Sequence, residues 1–170
     1  MNMSFGTKKS INFQLTLNGA NIQWNDEWKY LGVVLKSGKR FGCSVKDRVR
    51  SFYRALNSVL RVEGRSNYLI FLRLIETHCL PILTYAVEIV HVADRDQRRS
   101  LRVAYNAIFR KIFSYRRFES VTALQHTLER KTWEELVQTY QSRFVNRAKK
   151  WDSDTLVHEL ALTTNLSLPS

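Results

Sequence analysis

Apolar Ile11, Phe13, Leu15 and Leu17 alternate with polar Asn12, Gln14 and Thr16. That two-residue period belongs to a strand with one buried face. Asn18-Gly19 follows directly, a pair that accepts the positive φ angles of a tight hairpin turn. Ile22 and Trp24 then supply the returning strand. WKYLGVVL, Trp28 to Leu35, is apolar and rich in β-forming residues, and predicts a third strand. Gly38 and Gly42 mark a loop. From Ser44 the period lengthens. Val45, Val49, Phe52, Leu56, Val59 and Leu60 fall on one face of a helix that Ser44 caps, Asp47 supports and Gly64 ends. Leu69, Leu72 and Ile75 mark a second helix over 67–79, which Pro81 ends or kinks. The nearly uncharged ILTYAVEIV that follows predicts the buried centre of the fold. A helix over 94–113 comes next, with Leu101, Ala104, Tyr105, Ile108 and Ile112 as its apolar stripe. Further helices are expected over 120–129 and 132–151, before a tail that adds one turn after Asp152 and frays. The chain reads as mainly α: a small N-terminal antiparallel β element, then a bundle of about five helices.

Charge changes this picture most. The 170 residues are 44% hydrophobic, enough for a packed core, yet 27 Lys and Arg face 15 Asp and Glu for a net +12. Residues 36–65 hold nine basic groups against Asp47 and Glu63, and residues 95–117 hold eight against Asp96. Each block therefore carries +7, and the rest of the chain is slightly acidic. Lys46, Arg50, Arg54 and Arg61 recur at steps of four, four and seven. At about 100° per residue they cluster within an arc of roughly 80°, apart from the apolar face. Arg95, Arg99, Arg102 and Arg110 line up opposite the stripe of the later helix. A single charge run is commonly a solvated face; two such blocks on helices point to an anionic partner. Tyr53, Tyr105, Tyr115 and Phe118 lie among these arginines. Such rings either stack on bases or anchor the core. The signal is for contact with backbone phosphates, without sequence selection.

Other classes are excluded on composition and motif. Cys43 and Cys79 are too few for a disulfide-rich scaffold, so a reducing compartment is expected. MNMSFGTKKSINF holds no apolar run fit for a signal peptide. The longest apolar region, Cys79 to Val87, falls short of the roughly 20 residues that span a bilayer. The expectation is an intracellular protein, cytoplasmic or nuclear, with no membrane partner. No G-x-x-x-x-G-K-[ST], G-x-G-x-x-G or G-x-S-x-G is present. A zinc set from Cys43, His78, Cys79 and His91 lacks ligand spacing. The acid pairs Glu134–Glu135 and Asp152–Asp154 sit in polar sequence. No catalytic residue, metal or cofactor is expected.

WKYLGVVLKSGKRFGCSVKDRVRSFYRALNSVL, followed by ETHCLPILTYAVEIV, resembles reverse transcriptases of non-LTR (LINE-type) retrotransposons downstream of their polymerase active site. The pieces come in the family's order. Lys8-Lys9-Ser10 precedes a hairpin with Leu17-Asn18-Gly19, then Trp28-Lys29-Tyr30-Leu31-Gly32-Val33. A basic amphipathic helix follows, then C-L-P-I-L-x-Y-x-x-E, then a helix ending over Asn106 to Phe113. The resemblance covers about residues 8–150.

It implies a β element over 1–42 resembling the end of the palm and the primer grip, and a basic thumb-like helical domain over 43–118. A helical extension over 119–170 completes the chain. Tyr30, Leu31 and Gly32 match the primer-grip strand, where a missing Cβ lets backbone approach nucleic acid. Lys9 matches a lysine that contacts the incoming nucleotide or pyrophosphate, although the asparagine often found upstream of it is not evident here. Lys46, Arg50, Arg54, Arg61, Arg95, Arg99 and Arg102 are implied to contact phosphates of a template–primer duplex. The departures are equally informative. The family's catalytic aspartates occur as [FY]-x-D-D, and no Asp-Asp pair exists here. Two-metal phosphoryl transfer needs such carboxylates, so Mg²⁺ is implied only for a full-length polymerase. Fingers, endonuclease and zinc knuckle are missing too. The resemblance thus implies the thumb and primer-grip part of an RNA-directed DNA polymerase, binding nucleic acid without polymerising alone. Two other readings stand beside it: a stand-alone basic helical RNA- or DNA-binding adaptor, and a helical protein-interaction domain whose charge serves solubility.

Overall fold

A computed structural model describes Met3 and residues 15–38, 42–62, 67–88, 90 and 95–148. The first hairpin forms as its pattern predicts. β1 (Leu15–Leu17) pairs antiparallel with β2 (Ala20–Ile22), Leu15 opposite Ile22. Asn18 and Gly19 make the turn, with φ of +51° and +78°, the primed geometry that matches the twist of paired strands. Trp24 lies beyond β2, and Ile11 and Phe13 lie outside the described residues. Leu17 is 65% exposed, so the expected buried face is confined to half-buried Leu15 and Ile22.

WKYLGVVL is not one strand. β3 (Glu27–Tyr30) folds back onto β4 (Val33–Lys36), with Tyr30 opposite Val33 and Glu27 opposite Lys36. Leu31 and Gly32 are the two turn residues, both with positive φ, +44° and +79°. At the open end Lys36 Nζ pairs with Glu27 at 2.7 Å, and Ser37 N–H donates to the Asp26 carbonyl at 2.7 Å. The supposed loop at Gly42 is strand β5 (Gly42–Ser44), which joins the other side of β4 to give the order β3-β4-β5. Ser44 therefore pairs with Val34 instead of capping a helix. The Val45 carbonyl receives the first helical N–H, from Val49.

The helices follow their apolar periods. α1 (Lys46–Val62) buries Phe52 and Leu56, half-buries Val49, Val59 and Leu60, and shares one apolar cluster with the sheet residues Val33 and Cys43. Gly64, its expected stop, lies outside the described residues. α2 (Tyr68–Leu74) is capped by Asn67, whose side chain accepts the Leu69 N–H at 3.0 Å. Pro81 does not end this helix. A wide π turn over Ile75–Cys79 leads straight into α3 (Leu80–Thr84), with Pro81 in the first turn of α3. The Leu80 N–H reaches five residues back to Ile75; widening one turn absorbs the missing proline N–H and its ring clash. The chain then bends at Tyr85 and at Ala86, φ +48°. Leu83, Val87 and Val90 are fully buried, as the uncharged stretch predicts.

α4 (Arg95–Phe113) buries Leu101, Ala104, Tyr105, Ile108 and Phe109 against α1 and α3. Asp94, its expected start, lies outside the described residues. α5 (Thr122–Thr127) is shorter than expected, and α6 (Trp133–Ala148) follows. Thr132 and Glu135 cap α6 reciprocally: the Glu135 carboxylate accepts the Thr132 N–H at 2.7 Å, and the Glu135 N–H donates to Thr132 Oγ1 at 3.4 Å. These hydrogen bonds hold the Glu135 carboxyl below the usual carboxylate range. Trp133 packs on Tyr105, whose hydroxyl donates to the Lys131 carbonyl at 2.7 Å, and whose pKa burial pushes upward. One apolar cluster runs from Val33 in β4 to Val137 in α6. Counting 68–84 as one continuous helix, the described residues hold five helices and two small antiparallel sheets. Among the described residues no helix is long and apolar enough to cross a membrane.

Candidate nucleic-acid interface

One strip of α1 gathers four of the expected contacts. Lys46, Arg50, Arg54 and Arg61 are all exposed. With Asn57 as zero and about 100° per residue, they lie between roughly −20° and +60°. Phe52 and Leu56 fall near 220° and 260° on the same scale, which is why one helix both packs and presents charge. The strip is about 22 Å long at 1.5 Å per residue. Asp47 offers Arg50 only a long, exposed contact of 3.7 Å. A fifth cation escaped the sequence reading. Lys111 of α4 reaches across to Asn57 Oδ1 at 2.7 Å and adds its charge to the middle of the strip. Only the tertiary contact reveals it, because the pair is 54 residues apart.

Tyr30, Leu31 and Gly32 sit apart from that strip, at the tip of the β3–β4 hairpin. Tyr30 is 61% exposed and Leu31 72% exposed. A leucine in the left-handed region costs roughly 1–2 kcal/mol, so something must hold it. Tyr85 does. Its hydroxyl donates to the Leu31 carbonyl at 2.7 Å, and a Cβ on Gly32 would stand in tight contact with its ring, 3.3 Å from Cε1. Arg48 stacks over the same ring at 5.7 Å from its centroid. Burial pushes the Arg48 guanidinium below its usual pKa, and its half-buried place over the Tyr85 ring makes it a packing cation. Lys29, Arg48 and Tyr85 line a recess of about 450 Å³ beside the turn.

Gly32→Ala should therefore destabilise the chain by roughly 1–2 kcal/mol, read as a fall in the urea midpoint. The new methyl meets both the strained φ and the Tyr85 ring. An unchanged midpoint would show that the turn is held by neither.

The remaining candidates divide. Arg95, Arg99 and Arg102 are exposed on α4, and Arg102 faces Glu134 of α6 at 3.5 Å. Arg98, which the sequence reading passed over, joins them around a cleft of about 700 Å³ between α4 and the start of α6. Arg110 belongs to the packing instead: it is half-buried and donates to the Glu119 carbonyl at 3.1 Å. Of the four rings considered for stacking, Tyr105 is buried and Tyr53 packs edge-on against Phe52, whereas Tyr115 is exposed and Phe118 is 93% exposed. Lys9 and His91 lie outside the described residues.

Carboxylates are scattered and engaged. Glu27 pairs with Lys36, Glu76 with Arg130 and Glu134 with Arg102. Among the described residues no group of three or more His, Cys, Asp or Glu stands close enough to hold a metal. Cys43 and Cys79 are both buried, and burial raises the Cys79 thiol.

Comparison with known proteins adds one relative. Over 150 residues, 86% of this chain, the sequence is 24% identical to the "Probable RNA-directed DNA polymerase from transposon BS" of Drosophila melanogaster. The chain spans 17% of the length of that relative. No protein-family model matches, and no solved structure matches. The resemblance read from the residues and the curated relative agree: over most of its length this chain is similar to part of a retrotransposon RNA-directed DNA polymerase.

Proposed function

We propose that this chain is the primer-grip and thumb part of a non-LTR reverse transcriptase and that it binds the backbone of a template–primer duplex without catalysing polymerisation alone. The strip of α1 supports this best. Five cations, Lys46, Arg50, Arg54, Arg61 and Lys111, share one exposed surface about 22 Å long, set on a helix anchored by buried Phe52 and Leu56. Each strand carries one phosphate per about 3.4 Å of helix axis, so a duplex lying along the strip presents about six phosphates per strand, more than the strip has cations. Its groups supply charge and reach but no fixed base-edge geometry, which suits binding without sequence preference. The Val45 N–H, donated to Gln97 Oε1 at 3.0 Å, ties the entry of α1 to the first turn of α4 and fixes the strip against the rest of the fold.

The β3–β4 tip fits the same reading. A strained, mostly exposed Leu31 contributes little to the core, and strain of this kind gathers at functional positions. The clamp from Tyr85 keeps the tip in one shape beside the thumb-like helices. The absence of an Asp-Asp pair supports a binding role without catalysis.

The test is binding of an RNA–DNA duplex as salt is raised. Four to five phosphate contacts give a slope of log K against log salt of about −4. No binding at low salt rejects the reading and leaves a protein-interaction domain in its place.

A further inference from the structure

The two basic blocks of the sequence do not make one surface. Arg95, Arg98, Arg99 and Arg102 span an arc of about 100° on α4, taking about 100° per residue. Lys111, which belongs to the α1 strip, lies about 120° or more from all four round the same helix. A rod-like duplex resting on the α1 strip therefore leaves the α4 arginines unused. The two surfaces also differ in shape. The strip runs along one helix, whereas the α4 arginines line a cleft of about 700 Å³ whose far wall is Trp133 and Glu134 of α6. Beyond Arg102 the cleft continues as a groove past Asn106 toward Thr122 on α5.

We propose that this cleft is a second, independent site that takes consecutive phosphates of a flexible chain, above all the backbone of single-stranded nucleic acid. The proposal rests on the nucleic-acid reading above and extends it to a different ligand form. Four arginines face two acids in the cleft, Asp96 and Glu134, so the site is net cationic. Single strands bend into charged grooves of this size, and a duplex does not. Trp133 is buried and packs on Tyr105, so it offers no stacking face, and recognition is by phosphate charge. Glu134 holds Arg102 at 3.5 Å across the mouth. An incoming phosphate displaces that carboxylate from the guanidinium, which makes Glu134 the group that tempers affinity.

The experiment uses the whole chain with three probes: oligouridine, an RNA–DNA duplex and inorganic polyphosphate. Arg95→Gln/Arg98→Gln/Arg99→Gln should weaken oligouridine binding about tenfold or more, a clearly larger factor than its effect on duplex affinity. Glu134→Gln should tighten oligouridine binding about threefold. Saturating duplex should leave oligouridine bound. Polyphosphate that displaces oligouridine at equal phosphate concentration assigns the cleft to phosphate chains in general. Polyphosphate that competes more than about tenfold less well assigns it to nucleic acid. Displacement of oligouridine by duplex, or an unchanged oligouridine affinity in the triple variant, overturns the second site. A chain that binds oligouridine through these arginines and no duplex at all keeps the cleft and rejects the thumb reading. All three arginines are exposed, so helicity measured by circular dichroism should stay unchanged.

Discussion

Replacing Lys46, Arg50, Arg54 and Arg61 together by Gln should weaken RNA–DNA duplex binding about ten- to hundredfold at low salt. The salt slope should become shallower by about 3 to 4, because each lost cation removes one phosphate contact and its released counterion. Stability should barely move. All four side chains are exposed, and the contact of Arg50 with Asp47 is 3.7 Å long. Gln and Lys or Arg have similar helix propensities, so the apolar face of α1 remains in register. Adding Lys111→Gln should flatten the slope by about one further unit, because its ammonium sits beside Asn57 in the same strip. Binding that keeps its affinity and slope in the four-site variant would show that the strip is a solvated face.

Both halves of that prediction trace back to what periodicity reveals and what it hides. The α1 and α4 stripes were legible because three- and four-residue steps put the core on one side and the arginines on the other. The identity of the full strip was not, since Lys111 joins it from another helix. The hairpin at Asn18-Gly19 was legible from its residue types. The turn at Leu31-Gly32 was hidden: β-forming residues flank it on both sides, and leucine carries no signal for positive φ. Its geometry is imposed by Tyr85, 54 positions away. A similar tertiary override explains Pro81, where the π turn before it lets the helix continue. β5 was missed because three residues, Gly42–Ser44, are too short to show a period, and pairing with β4 decides their state. The sequence separates two basic blocks but assigns both to one anionic partner. Only the rotation between Lys111 and Arg95 on α4 gives them separate surfaces.

Phe52→Ala is the substitution expected to cost the most. Phe52 is fully buried on α1, stands edge-to-face with Tyr53 at 5.5 Å between centroids, and belongs to the cluster that joins sheet, α1 and α4. Truncating a buried Phe removes its transfer energy and leaves a cavity, together about 3–5 kcal/mol. Against a typical domain stability of roughly 5–15 kcal/mol, that loss leaves a marginal fold. The urea transition should move sharply to lower denaturant, and duplex binding should fall with it near the new midpoint. Arg54→Gln, two residues along the same helix, should do the opposite: binding weakens while the transition stays within about 0.5 kcal/mol of the parent. The contrast separates packing from contact on a single element. If Phe52→Ala kept both its urea midpoint and its duplex affinity, α1 would not be the element that anchors the strip, and the core described around it would be wrong.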